Sequence, residues 1–426
     1  MDEEARENEI QTEKAEERPA AKEGLASYYK RSAYGVRVAF FVSLVLLVAF
    51  TVFCIGFFKD HITYDNIRYF FKYLDITSSD NIPSDAEIVI SEGREASYVM
   101  LYNDVAAVTD SGIALYDFAG NKLYSYKYSY ASACATTNGK SVLVYDSGGT
   151  GLSIYNSVSK IYETNFDYDV KSACINELGC FAVINSEKTY RSGIIVFDRD
   201  YNEIFRWMSP DKYVTSVDIN ANASRAAVSC VRNENGSFVT DVIVFNTSTG
   251  EKEYQKTVFD SIALKIGYAD NYSGIYILTD NALIFCDTGL EEKANYSYNP
   301  SNAKFFKDFD ECFLIAESSS LAGSTMKLSA YASDGSEMFS VVSEKGMIDA
   351  AYDDTTLYLL TKESLEVYEY EKNNGNEREI KKIGEKELGL QYKFVKTDSY
   401  GRYILIGAKK AKRGLLAVLL EEQLEK

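Results

Sequence analysis

An enzyme site needs a nucleophile, a base or a set of metal ligands, and this chain of 426 residues offers few of them: its one histidine is His61. A Ser-His-Asp triad requires a histidine beside its nucleophile, and a multi-histidine metal site needs several, so neither can be assembled in the body of the chain. Carboxylates are the remaining acid–base groups. Carboxylate-rich runs such as Asp198-Arg199-Asp200 and Asp308-Phe309-Asp310-Glu311 match no calcium-loop spacing and read as solvated turns. Gly148-Gly149-Thr150-Gly151 has the glycine content of a phosphate loop without its Lys-Ser/Thr ending, and reads as a tight hairpin connection. No catalytic, metal-binding or cofactor-binding residue is assigned, and no cofactor is expected.

Sulfur and phenol chemistry remain. Of seven cysteines, Cys54 lies in a long apolar run, while Cys134, Cys174, Cys180, Cys230, Cys286 and Cys312 mostly sit in short apolar stretches where cysteine serves as a small hydrophobe. Cys174 and Cys180 flank five residues and could meet across a hairpin, although disulfide geometry is strict and the register is open. No CxxC occurs, which argues against zinc and thioredoxin-like redox work. The 34 tyrosines are the most conspicuous feature of the composition. A tyrosine ring suits strand edges as well as docking surfaces. Tyr124, Tyr126, Tyr128 and Tyr130 alternate along one strand, share one face, and form a candidate docking surface if that ladder is exposed.

The elements that would position such groups begin with a membrane segment. Residues 38–58 carry no charge, and as a helix rising about 1.5 Å per residue they would span roughly the 30 Å of a hydrocarbon core. Residues 1–37 form an acidic, apolar-poor leader expected to be disordered and cytoplasmic, an orientation supported modestly by Lys22, Lys30, Arg31 and Arg37. Residues 59–85 are a juxtamembrane segment and linker, in which Ile67, Phe70, Phe71 and Leu74 share one helical face behind a capping Asp65. The remainder, 86–421 with a short tail 422–426, is then extracytoplasmic.

That remainder repeats. Strand-like runs ending in an aromatic and a small or polar residue recur, clearest in Gly112–Asp117, Gly151–Asn156, Gly193–Asp198 and Asp241–Asn246. Counted at the aromatic position, seven copies fall at 116, 155, 197, 245, 286, 331 and 368, a mean spacing of 42 residues. Each copy has an apolar strand before it and a turn with a polar strand after it, which is the content of a four-stranded propeller blade of about 40 to 45 residues. After Tyr368 only two further strands are expected, Tyr403–Ile406 and Leu415–Val418, so Glu87–Ile90 is expected to complete the last blade and close the ring. The reading is all-β: an eight-bladed β-propeller, with seven blades as the alternative, preceded by one transmembrane helix.

Residues 86–421 resemble WD40-like and quinoprotein-like β-propellers, and the whole arrangement is similar to a membrane-anchored domain family of unknown function from Gram-positive Firmicutes. Where WD40 blades end in Trp-Asp, these end in Tyr or Phe followed by Asp or Asn, and the quinoprotein docking pattern is represented only by Trp207. The resemblance therefore implies the fold and no quinone cofactor. Net charge of −18 disfavours nucleic acid. The expected role is a noncatalytic envelope scaffold or sensor that holds membrane lipid through residues 38–58 and binds a protein partner. A wall-glycan-binding module is the alternative, and a lyase or hydrolase using carboxylates in the propeller channel is a further one.

Overall fold

The computed structural model describes residues 33–52, 87–89 and 96–420, apart from 102–103, 118–119, 270–271, 310–311, 320–324, 354, 373–377, 389–391, 398–401, 408–409 and 417–418. The chain divides into two compact units, Met1–Ile76 and Thr77–Lys426.

In the first unit a helix runs over Ala33–Val52, twenty residues that are long and apolar enough to cross a membrane. The helix includes Ala33 to Arg37, ahead of the expected Val38, and an arginine near the end of an apolar span can extend its charge toward the interface. Residues 53–58, Cys54, His61 and the amphipathic run after Asp65 lie outside the described residues.

The second unit is an eight-bladed β-propeller, each blade a four-stranded antiparallel sheet. Seven blades are built from consecutive strands, spanning 97–127, 133–165, 170–209, 213–259, 263–297, 303–343 and 347–387. The eighth has three C-terminal strands, Tyr392–Thr397, Arg402–Gly407 and Lys410–Leu415, and takes its outermost strand, Glu87–Val89, from the beginning of the unit. Glu87, Ile88 and Val89 pair with Lys412, Ala411 and Lys410, so the ring is closed by its own two ends. One expectation is corrected here. The last C-terminal strand is Lys410–Leu415 and not Leu415–Val418, because Ala411 is the residue buried against the first blade while Leu419 turns back to cover the seventh and eighth.

The repeat has a structural cause. All seven aromatic-position residues lie on the third strand of their blade, and at each of them the pairing with the fourth strand slips by one residue, from Leu115/Tyr116 in the first blade to Val367/Tyr368 in the seventh. A bulge at a fixed place bends the outer strand and increases its twist, as a blade requires. The next residue closes the turn. Asp198 Oδ1 accepts the backbone N–H groups of Asp200 and Asn202, and Asp287 Oδ1 those of Gly289 and Glu291, each at 2.9–3.0 Å. The third strand must also approach the fourth closely at its start: a Cβ on Gly193 would collide with the carbonyl of Trp207.

Second and third strands are nearly continuous runs of buried residues, since both faces of each blade meet a neighbouring blade. Aromatic side chains of one fourth strand seal the seam to the next third strand: Trp207 lies 4.9 Å from Phe245, and Tyr296 4.1 Å from Tyr331, between ring centroids. The first strand of each blade lies at the opposite edge of the sheet from the fourth.

Candidate binding site at the channel mouth

Within a blade the first strand ends, and the second begins, on one face of the ring. On that face the first-to-second-strand hairpins of blades two to six surround a cavity of about 680 Å³, within the usual size of small-ligand sites. Its walls combine Asn138, Lys140, Asn176, Glu177 and Asp218 with Tyr268, Tyr272, Tyr276, Asp308 and Phe309.

Three asparagines fix the rim. Asn138 and Asn176 follow the last residue of their first strands, and Asn220 does the same one blade on. Each carbonyl oxygen caps its own hairpin, as Asn176 Oδ1 does by accepting from the N–H groups of Leu178 and Cys180. The amide groups then tie blades together: Asn138 donates to the Asn176 carbonyl at 2.7 Å, and Asn176 to the carbonyls of Asn220 and Ala221 at 2.8 Å. A rim clamped through hydrogen-bonded amides, with Asn176 buried and Asn138 and Asn220 half-buried, is pre-organised.

Below the rim sits Asp218, half-buried on the first strand of the fourth blade, Tyr213–Ile219. Its two oxygens accept the backbone N–H groups of Ile219 at 2.9 Å and of Tyr268, on the next blade, at 2.8 Å. Burial pushes its carboxyl up to about 6, although those donors and Lys265 pull the other way, and Asp308 adds to the rise. Asp308 is its opposite. Burial disfavours its charge too, but Lys265 Nζ lies 2.7 Å from each oxygen, the Tyr276 hydroxyl donates at 2.7 Å, and the carboxyl is held below the usual range. Tyr276 reaches this point because residue 267, directly opposite it on the neighbouring strand, is glycine; a Cβ there would meet the ring. On the wall of the same channel Lys307 pairs with Asp349 at 2.7 Å, and burial together with Lys307 lowers the Lys396 amine.

Tyr272 completes the mouth. Its φ is 57°, a left-handed conformation that a bulky residue seldom adopts, and its hydroxyl donates to Glu177 Oε1 at 3.1 Å across the opening. The rings of Tyr268 and Tyr272 lie 5.7 Å apart, inclined at 58°.

The residues singled out in the sequence fall elsewhere, with one exception. Tyr124 and Tyr126 lie on one face of the strand Lys122–Lys127, Tyr128 and Tyr130 follow beyond its end, and all four are half-buried against the second blade and so are not an exposed ladder. Tyr126 packs on Tyr155 at 5.6 Å, Tyr124 donates to the Asn156 carbonyl, and Tyr128 stacks on Tyr130 at 4.3 Å. Alternation placed them together; it could not say that the shared face meets another blade. Asp198 and Asp200 belong to an exposed turn. The Gly148–Gly151 run has its backbone committed, with Gly148 N–H on the Val170 carbonyl and the Gly149 carbonyl receiving Val170 N–H. Cys174 and Cys180 are separate thiols, Cys174 facing Ala182 across the hairpin. The exception is Asp308, which enters the cavity, while Asp310 and Glu311 lie outside the described residues. Asp218, Glu177, Tyr268 and Tyr272 were not anticipated. The legible signal was the recurrence of Thr137-Asn138, Ile175-Asn176 and Ile219-Asn220 at strand ends. Among the described residues, no three His, Cys, Asp or Glu side chains come together as metal ligands would.

The family described as "Family of unknown function (DUF5711)" matches residues 77–413. No curated protein matches the sequence. Among solved structures, the chain is similar to the C-terminal WD40 domain of Sif2 (10% identity, TM-score 0.54) and to BamB from Moraxella catarrhalis (10% identity, TM-score 0.50). Each alignment covers 78% of this chain and 98% of the other. At that identity the likeness is one of fold.

Proposed function

We propose that this chain, which belongs to the DUF5711 family of unknown function, is a membrane-anchored, noncatalytic scaffold or sensor whose propeller binds a protein partner outside the cytoplasm. The observation that carries the reading is the channel mouth: a rigid, clamped rim around an open cavity whose wall groups are mostly held by one another and by backbone. Such a surface recognises without rearranging. The anchor is supported by the Ala33–Val52 helix, which exposes Phe40, Phe41, Leu46 and Phe50 on all sides and would satisfy them in lipid. On this reading lipid is among the partners, the cell membrane is the location, and the residues before the helix are inside.

A carboxylate hydrolase or lyase has one observation in its favour, since Asp218 and Asp308 line one cavity with their carboxyls pushed in opposite directions. Against it, both oxygens of Asp308 are engaged by Lys265 and Tyr276, and each oxygen of Asp218 accepts a backbone N–H group.

Crosslinking of the full-length chain in intact cells, followed by identification of attached proteins, tests the scaffold reading. The expected result is one recurrent membrane or envelope protein. Absence of any recurrent adduct, together with loss of the chain from membranes in alkaline carbonate, would overturn both halves.

A further inference from the structure

The charges at the mouth do not balance locally. Lys265 gives both of its short contacts to Asp308, and at the rim Lys140 and Glu177, both exposed, offset one another. Among the described residues Asp218 has backbone hydrogen-bond donors and no cation in direct contact, Lys265 acting on it only from its place on Asp308. A half-buried carboxylate in that position gains most from a cation brought by a ligand, because the cavity has already removed much of its water. The adjacent walls suit such a cation. The Tyr268 and Tyr272 rings offer π faces, Phe309 an apolar one for an alkyl stem, and Glu177 a second acceptor at the entrance. The net charge of −18 would steer basic partners toward the protein.

We propose that the channel mouth receives a basic side chain of the protein partner, an arginine or lysine, with Asp218 as its counter-charge and Tyr268 and Tyr272 beside its head group. The inference rests on the reading of the propeller as a protein-binding scaffold and specifies what that scaffold reads.

The titratable groups facing Asp218 are Lys265, Tyr268 and Tyr276 from the fifth blade, Asp308 from the sixth, and the Cys174 thiol from the third. Asp218 changes charge near pH 6, so affinity for a cation should fall about tenfold between pH 7 and pH 5.

The test is calorimetric titration of the full-length chain in lipid nanodiscs with acetyl-Gly-Arg-Gly-amide, with the same peptide carrying neutral citrulline in place of arginine, and with spermidine. The arginine peptide should bind at least tenfold more tightly than the citrulline peptide and more tightly than spermidine, and Asp218→Asn should remove that preference. The citrulline comparison uses unaltered protein and is independent of any folding defect. Equal affinity for the two peptides, no measurable binding of the arginine peptide at millimolar concentration, or an unchanged preference in a folded Asp218→Asn chain would overturn the assignment. Tighter binding of spermidine would overturn it in favour of a free polyamine. Crosslinking in cells separates the two levels: a partner captured equally by wild type and Asp218→Asn defeats this inference and leaves the scaffold standing, whereas no partner for the wild type defeats the scaffold itself.

Discussion

Asp218 is costly to the fold in the form proposed to be useful. Its folded-state carboxyl titrates near 6, above the 3.8 of an ordinary aspartate, so its contribution to stability is greatest below about pH 4 and is lost as pH rises through 6. Asparagine keeps the shape and can still accept the Tyr268 or Ile219 N–H without carrying charge. Asp218→Asn should therefore be more stable than wild type at pH 8, with the difference shrinking as pH is lowered to 4, in denaturant titrations at several pH values. A gap that stays constant with pH would mean Asp218 is not the group that titrates. A stability deficit beside a binding role is what functional sites commonly show. Asp308 shows the contrasting case, an aspartate whose partners already satisfy its charge.

Among the elements, the hairpins at the rim matter more than their length suggests. Asn176 is 7% exposed and closes its own turn while reaching two carbonyls of the next blade. Asn176→Ala leaves buried backbone groups on both sides without partners and should cost about 2–4 kcal/mol, read by denaturant titration. It should also weaken binding at the mouth more than a surface substitution such as Lys188→Ala does. The third strands were legible in sequence because one bulge and one turn impose the same aromatic and the same Asp or Asn on copy after copy. The first strands were not, because their side chains differ from blade to blade: Asp218, Lys265, Lys307 and Asp349 stand close enough to act on one another or on shared neighbours yet follow no repeat. The residues that give a propeller its identity are thus the least periodic part of it. The strand that carries Tyr124 and Tyr126 shows the converse limit, since alternation assigns a face and burial of that face depends on a neighbour 32 residues away.

At the scale of the molecule, closure joins the two ends of the propeller in one sheet, and the closing strand is only three residues long against six to ten in the other blades' outermost strands. That strand was legible because a ring with an unfilled outer position has to be completed from somewhere. Closure holds blades that are 42 residues apart in register, and this is what allows hairpins of five blades to form one cavity. The account thus makes the mouth, and not the opposite face, the recognition surface. The most direct measurement places a photo-crosslinking amino acid at Glu177 on the rim, and in a second chain at Phe259, the 67%-exposed end of a fourth strand on the other face, in the full-length protein in intact cells. The account predicts a discrete protein adduct from Glu177 that Asp218→Asn diminishes, and none of comparable yield from Phe259. An adduct confined to Phe259, or no protein adduct from either position, would contradict it.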